Sequence, residues 1–300
     1  MAGYIVYNGF WNPVQPPDPV RRLVAAAAER GVLLTPRPNT ALTADIRPAG
    51  IAVNGFSQKD FALFWDKDIR LGQALTACGV RLYNPIDAIA VCDDKSATHL
   101  ALARSGIPMP RTLLAPMTYR KISAPIEDFL QKAAETLGFP MIVKECYGSL
   151  GGQVYLAKTP PELRRLCMGM DSRPFLVQEF LSHAAGEDIR AYVVGDKAVA
   201  AMHRRSKGDF RSNIGMGGTG TPHRLTAIQE ELALRCCRSL GLSFGGVDLL
   251  WDEAGNPLVC EVNSNAFMGE IAACTGVDVA GRIVEYVLEQ ENQINKRPHT

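Results

Sequence analysis

Residues 245–265 read Gly-Gly-Val-Asp-Leu-Leu-Trp, Asp-Glu-Ala-Gly-Asn-Pro, Leu-Val-Cys-Glu-Val-Asn-Ser-Asn. Two short alternating runs flank a cluster of Gly, Asn, Asp and Pro, the pattern of an antiparallel hairpin. A loop over 252–257 that closes symmetrically sets Trp251 against Leu258, and counting back sets Asp248 against Glu261. Side chains two apart share a face of a strand. One face then carries Val247, Leu249, Trp251, Leu258, Cys260 and Val262 and is bound for the core; the other carries Asp248, Glu261 and Asn263. Two carboxylates directly opposed across a ladder lie roughly 5 Å apart at Cβ and repel. Either this is the solvated face of an edge hairpin, or a divalent cation relieves the repulsion. Oxygen-only ligands on one rigid face suit Mg²⁺ or Mn²⁺.

Upstream, the capping box at residues 226–229 opens a helix that runs to Gly241. Residues 204–221 hold Arg, Lys, Asp, Asn and five glycines with little apolar content, which predicts a long loop, and such loops tend to be functional. Its first residues, Arg204-Arg205-Ser206-Lys207, read as a solvated turn. Residues 188–194 and 197–202 form a second hairpin around Gly195-Asp196, with Asp188 and Arg190 on one face. Residues 175–180 are a buried strand, and Thr159-Pro160-Pro161-Glu162 caps a helix to about residue 168. The strand over 139–145 carries Lys144 and leads into Gly148-Ser149-Leu150-Gly151-Gly152 before a strand over 154–157. Such a loop can lay backbone N–H groups over phosphates beside the lysine; a plain glycine turn beside a snorkelling lysine fits equally well. Asp93 and Asp94 stand at the positive end of a helix reaching Arg104, with Lys95 beside them.

The first ninety residues alternate strands (4–7, 32–34, 62–65) with helices (20–30, 69–78), the layout of an open α/β layer. No Gly-x-Gly-x-x-Gly follows the first strand. Beyond the 245–265 hairpin come a loop to Gly276, a helix over 277–288 and a polar, frayed tail. Lys plus Arg is 32 against 31 for Asp plus Glu, which gives no electrostatic reason to expect nucleic acid or an anionic membrane. The eight cysteines show no Cys-x-x-Cys spacing, as expected of reduced thiols in a cytoplasmic protein. No export signal or apolar span of membrane length is visible.

The order of these parts resembles the ATP-grasp superfamily, and within it the RimK-type (alpha-L-glutamate ligase-like) carboxylate–amine ligases. The likeness rests on Lys95, Lys144 ahead of the Gly-rich loop, Gln178-Glu179-Phe180-Leu181, Asp188-Ile189-Arg190, Gly208-Asp209-Phe210-Arg211-Ser212-Asn213, and Asp248 with Glu261-Val262-Asn263. It implies an α/β (α+β) fold with a Rossmann-like pre-ATP-grasp domain over 1–92. A central subdomain over 93–182, a C-terminal subdomain with the metal site over 183–290 and a tail over 291–300 would follow, with ATP between the two subdomains. By resemblance, Lys95 and Lys144 contact ATP phosphates under the loop holding Ser149 and Gly151. Gln178, Glu179, Phe180 and Leu181 meet the adenine, Asp188 holds the ribose, and Arg211 with Asn213 binds phosphate and the reacting acyl group. Asp248, Glu261 and Asn263 hold two Mg²⁺ (or Mn²⁺) ions.

The activity so implied joins an amino acid to an amine or carboxylate acceptor through an acyl phosphate. Small-substrate ligases of the glutathione-synthetase or D-Ala-D-Ala type share this plan, as do ATP-binding regulators of the synapsin kind. Relatives are commonly dimers or tetramers, though no interface signature is visible here. Two stretches depart from the family pattern. Tyr147-Gly148-Ser149-Leu150-Gly151-Gly152 replaces a Glu-Gly-Thr-Gln-Gly type of loop, and Ser264-Asn265-Ala266-Phe267-Met268-Gly269-Glu270 replaces Ser-Pro-Gly-Leu. They leave the acceptor and the amino acid open. Arg190, Arg204 and Arg205 are equally open between pairing with substrate carboxylates, for which glutamate would suit, and a structural role.

Overall fold

Strands of a parallel sheet covered on both faces are apolar along their whole length rather than alternating, and Phe61-Ala62-Leu63-Phe64-Trp65 is such a run, buried at all five residues. In the computed structural model, which describes residues 2–11, 15–119, 126–149, 151–214 and 217–296, this run is a middle strand of a parallel sheet. The N-terminal elements are β1 (Ala2–Tyr7), α1 (Asp18–Glu29), β2 (Leu33–Pro38), β3 (Ala44–Arg47), β4 (Gly50–Val53), β5 (Phe61–Trp65), α2 (Ile69–Ala77), β6 (Arg81–Tyr83) and α3 (Ile86–Asp93). The sheet runs β2-β1-β5-β6, and β3 and β4 pair as a separate ribbon. Asn8, Asp66 and Asn84 each follow the C-terminal end of one of its strands, where open α/β sheets present their ligand crevice.

Next come α4 (Lys95–Arg104), β7 (Thr112–Leu114), α5 (Glu127–Leu137), β8 (Met141–Glu145), β9 (Val154–Ala157), α6 (Pro160–Met168) and β10 (Phe175–Glu179). Their sheet is antiparallel, in the order β7-β10-β8-β9. The last part holds β11 (Glu187–Val194), β12 (Lys197–Arg205), β13 (Thr219–Pro222), α7 (Ala227–Leu240), β14 (Phe244–Trp251), β15 (Pro257–Asn263), α8 (Gly269–Thr275) and α9 (Val279–Lys296). Its five strands are antiparallel in the order β13-β12-β11-β14-β15. One apolar cluster joins Ile5 and Leu23 of the N-terminal layer to Tyr192, Phe244 and Ile283. Asn84, fully buried, ties the two layers by polar bonds: it donates to the carbonyls of Phe244 and Ser264 and accepts from the backbone of Ser243.

Several expectations need correction. Asp248 does face Glu261, but Trp251 faces Pro257 and Leu249 faces Val259, so the loop is one residue shorter than the symmetric count and a bulge at Cys260 restores the register. Val259 thereby takes the core position assigned to Cys260, whose thiol turns to the opposite face. Arg204 and Arg205 belong to β12 rather than to a solvated turn, and Arg204 is 2% exposed. Glu162 accepts from the amide of Lys158, not from that of Thr159, so only the Thr159 half of that capping box forms.

The tail is not frayed at residue 289, since α9 continues to Lys296. Its buried stripe Val279, Ile283, Val284 and Val287 ends in Glu291, which accepts from Arg81 Nε at 2.8 Å and the Tyr83 hydroxyl at 2.8 Å. A carboxylate thus occupies the next core-facing position, which composition alone reads as polar tail. The ribbon β3–β4 and the elements β6, α3 and α8 were not expected either. Leu150, residues 215–216 of the long loop and residues 297–300 of the tail lie outside the described residues.

Candidate active site

Opposed positions on neighbouring strands bring side chains together, and three such pairings build the floor of the site. Asp188 on β11 faces Arg204 on β12, Arg190 on β11 faces Asp248 on β14, and Asp248 faces Glu261 on β15. Arg190 donates to both Asp248 oxygens at 2.6 and 2.5 Å, and Arg204 does the same to Asp188 at 2.6 and 2.5 Å. Arg204 also reaches Asp248 Oδ2 at 3.0 Å. All four groups are buried. Burial alone would raise the Asp248 carboxyl, but Arg190 and Arg204 together reverse this and hold it below the ordinary carboxylate range. Burial outweighs the single guanidinium of Arg204 at Asp188, with Asp248 close by, and its carboxyl is raised. Arg190 and Arg204 are thus both held by buried carboxylates, and Arg205 pairs with Glu187 at 3.2 Å.

Above this floor a cleft of about 870 Å³ opens between the two antiparallel sheets. Lys95, Lys144, Ser149, Gly151, Gln178, Glu179, Phe180, Leu181, Asp188, Arg211, Asn213, Asp248 and Glu261 all line it. Asn263 lies instead on a second cavity that shares Ser149, Asn213 and Glu261 with the first. Lys144 is buried on β8, yet no carboxylate lies within ion-pairing distance among the described residues, and its ammonium meets only Cys260 Sγ, at 3.7 Å. Lys95, the first residue of α4, whose N-cap Asp94 accepts from the amides of Ser96 and Ala97, points to Gly148 O at 3.2 Å and to Glu261 at 3.4 Å. Arg211 is held by Asp209 at 2.8 Å and reaches Gly151 O at 2.8 Å. The glycine-rich loop is therefore tethered by two cations through its own carbonyls.

At the far end of the cleft the strand β10 presents Gln178, and its orientation follows from its partners. Thr112 Oγ1 donates to Pro110 O, so it must accept from Gln178 Nε2 at 2.8 Å. His99 Nδ1 faces the Lys95 carbonyl at 2.7 Å and must carry the proton there, which leaves Nε2 to accept from Gln178 at 3.1 Å. Burial, with Lys144 nearby, pushes the His99 imidazolium down to about 4, so the ring is neutral at pH 7. Both amide hydrogens of Gln178 are engaged, and its Oε1 remains an acceptor. Glu179 does not offer its side chain, because Oε1 accepts from the Arg111 amide at 2.6 Å. Phe180 and Phe210 meet edge-to-face at 6.3 Å between centroids, forming an apolar wall.

The donor set for a divalent cation fits, with a qualification of strength at one position. Glu261 is half-buried with only Lys95 near its oxygens, and Asn263 has a buried amide nitrogen without a partner among the described residues. An amide whose two ends are this unconstrained can present oxygen. Asp248 accepts three N–H groups and keeps one of its roughly four lone-pair positions; the guanidiniums make it the weakest of the three donors. Among the described residues no three His, Cys, Asp or Glu side chains converge on one point, so an ion here needs oxygens from a ligand as well. Leu250, Ile142, Cys260 and Glu187 also line the cleft and were missed. The bulge hid Cys260, while Leu250 and Ile142 are apolar residues that no motif marks.

A lysine-bearing strand under a glycine-rich loop, facing an acidic sheet across a cleft, defines a nucleotide-dependent enzyme of phosphoryl chemistry. The RimK-like ATP-grasp domain family matches residues 92–287. A probable alpha-L-glutamate ligase of Xanthomonas oryzae pv. oryzae (strain MAFF 311018) is 37% identical over 289 residues, covering 90% of this chain and 92% of that protein. The RimK domain ATP-grasp protein of Sphaerobacter thermophilus DSM 20745 shares the fold, with a TM-score of 0.71 at 21% identity over 95% of this chain and 98% of that one. The ATP-grasp ligase PsnB, solved with a phosphomimetic variant of its minimal precursor, Mg and ADP, has a TM-score of 0.68 at 18% identity over 97% and 99%. The chain belongs to the RimK-like ATP-grasp family. It is an ATP-dependent carboxylate–amine ligase.

Proposed function

We propose that the cleft binds ATP with Mg²⁺ and activates a substrate carboxylate as an acyl phosphate, which an amine then converts to an amide. The observation that carries this reading is Lys144, a buried cation without a counter-ion among the described residues, in a cleft where Lys95 and Arg211 lean on loop carbonyls. An uncompensated buried ammonium is costly unless an anionic ligand completes it. The triphosphate supplies that anion. Gln178 Oε1 and the backbone of 179–181 meet the adenine amino edge, Phe180 and Phe210 flank the ring, and Glu187 or Asp188 faces the ribose. Glu261, Asn263 and Asp248 hold two Mg²⁺ ions, whose chemistry is to neutralise charge on the phosphates. The presence of Mg and ADP together in the PsnB complex supports this assignment.

The substrate carboxylate oxygen attacks the γ-phosphorus and ADP leaves. The amine nitrogen then attacks the acyl carbon, the bond to phosphate oxygen breaks, inorganic phosphate departs and the amine loses a proton. Such transfer is largely positioning and charge stabilisation, which Lys144, Lys95 and Arg211 provide. Ser149, Asn213 and Glu261 border both cavities, which supports a meeting of acyl group and amine at their junction. The relatives, named as probable alpha-L-glutamate ligases, point to an amino acid as the amine, added to a peptide, protein tail or small metabolite. All eight cysteines are free, in keeping with a reducing compartment such as the cytoplasm. No helix among the described residues is long and apolar enough to cross a membrane.

The test is ADP release with ATP and Mg²⁺ across a panel of amines and carboxylates, with products weighed by mass spectrometry. Glu261→Ala should abolish amine-dependent turnover. ADP formation within a few-fold of the parent would remove the metal assignment.

A further inference from the structure

The second cavity, open to solvent, spans about 1190 Å³ between the strand ends of β1 and β5 and the segment that follows β15. Its charges are matched with one exception. Lys67 pairs with Asp93 at 2.5 Å, Arg190 is held by Asp248, and Glu261 faces Lys95 at 3.4 Å. Asp66 remains. It is 6% exposed; its Oδ1 accepts from the Lys67 amide at 2.7 Å and from Asn8 Nδ2 at 3.3 Å, while Oδ2 has no partner among the described residues.

Asn265 repeats the pattern. Its Nδ2 donates to the carbonyl of Asp66 at 3.0 Å, which fixes the amide orientation because a carbonyl only accepts, and its Oδ1 is left buried without a partner among the described residues. Two unmatched acceptors thus sit on residues joined by a hydrogen bond, and buried unmatched acceptors are costly until a donor arrives. One wall is apolar, beside polar residues such as Asn213, Asn263 and Ser264: Trp65 is buried, while Trp11 and Phe267 are 66% and 40% exposed with ring centroids 6.5 Å apart.

We propose that this cavity is the amine subsite of the ligase and that it selects a primary amine on an aromatic or apolar body rather than glutamate. The inference rests on the ligase reading of the adjoining cleft. An ammonium group carries donors and a positive charge, which answer Asp66 Oδ2 and Asn265 Oδ1 together. Trp11, Trp65 and Phe267 hold the apolar body through buried aromatic area. A second substrate carboxylate, such as glutamate carries, finds no lysine or arginine in this lining that is not already paired. Asp66 and the aromatic residues lie outside residues 92–287 or in the stretch where the chain departs from Ser-Pro-Gly-Leu, so kinship through the family domain does not fix them.

The experiment is calorimetric titration of the full chain, first with ADP and Mg²⁺ and then, once saturated, with phenethylamine, its neutral analogue 3-phenylpropan-1-ol, and L-glutamate. Phenethylamine should bind at least roughly tenfold more tightly than either of the others, the effect of one charge-assisted bond set. Asp66→Asn should bring it to the level of the alcohol without changing ADP affinity. Trp11→Ala, at an exposed position that folding tolerates, should weaken both aromatic probes equally. Glutamate binding as tightly as phenethylamine, or an alcohol that matches it on the parent protein, would overturn the proposal while ADP binding left the ligase reading intact. Absence of ADP binding would instead remove the reading beneath it and the proposal together. Should Asp66→Asn not fold, the amine-to-alcohol comparison on the parent and Trp11→Ala decide the matter.

Discussion

Arg204→Met removes the cation that two buried carboxylates share. Arg204 is 2% exposed and supplies both hydrogen-bonded contacts to Asp188 and one to Asp248. Asp248 keeps Arg190, so the loss falls on Asp188, which is left with Ser212 as a donor. Breaking a buried pair from one side costs about 3–5 kcal/mol. The variant can lower that cost by protonating Asp188, whose carboxyl is raised by burial even with Arg204 in place. A folded-state pKa above the unfolded value of roughly 3.9 contributes stability that is fully present below that value and is lost as pH rises through the folded pKa.

The deficit relative to the parent should therefore be smallest at acid pH, where Asp188 is protonated in both proteins, and grow by up to about 1.4 kcal/mol per pH unit between the folded-state pKa of the parent and that of the variant. At neutral pH it should reach about 3 kcal/mol, the lower end of a one-sided break. Urea unfolding of parent and variant at about pH 4.5 and 7, compared through midpoints at constant m, reads this directly. A deficit below about 1 kcal/mol at pH 7, or one equal at both pH values, would refute the structural role and return Arg204 to the substrate. Asp188→Leu added to Arg204→Met should recover most of the loss, because apolar replacement of a whole buried pair is often neutral.

Lys144→Met should weaken ATP binding by roughly two orders of magnitude while leaving thermal stability equal or higher, since it removes an unpaired buried charge; unchanged nucleotide affinity in titration would count against the phosphate role. His99, with its imidazolium held down to about 4 by burial, contributes stability that is present above pH 6.5 and is lost as pH falls through about 4, by up to about 3 kcal/mol. Urea unfolding of parent and His99→Leu should show the pH slope in the parent alone, and parallel slopes would contradict it. Glu291→Ala should destabilise by about 2–4 kcal/mol, leaving the buried part of Arg81 and the Tyr83 hydroxyl unmatched. Tryptophan emission from Trp65 and hydrogen exchange along α9 would report whether the helix undocks from β6.

The hairpin that set Asp248 against Glu261 was readable because a face alternates strictly, and the two errors in it cancelled. The loop was one residue too long in the count, and the bulge at Cys260 put the residue back. A bulge leaves no periodic mark, so no count could have turned Cys260 towards the cleft. The phosphate-side residues Lys95, Lys144 and Arg211 were visible as motifs with a fixed order. Their accompanying network was not: Gln178 is orientated by His99 and Thr112, which lie 79 and 66 residues away in the chain. Arg204 read as a surface turn because a basic pair before serine and lysine looks solvated, and only the pairing of β11 with β12 shows which of the two faces inward. The amine cavity was the least legible, since Asn8, Asp66 and Asn265 are single polar residues at strand ends with no spacing between them to detect.

The alternating charges on β12, β11 and β14 also police the alignment of the sheet. Sliding β11 by two residues along β12 keeps every side chain on its own face, so apolar patterning alone does not oppose it. A slip in one direction, however, sets Arg190 against Arg204, and a slip in the opposite direction sets Asp188 against Asp248. Like charges would then meet inside the protein without a partner, a penalty far larger than the loss of any one apolar contact. The same ion pairs that shape the floor of the cleft thus act as a lock with one permitted setting, and the reacting ends of two substrates are aligned because three strands cannot settle anywhere else.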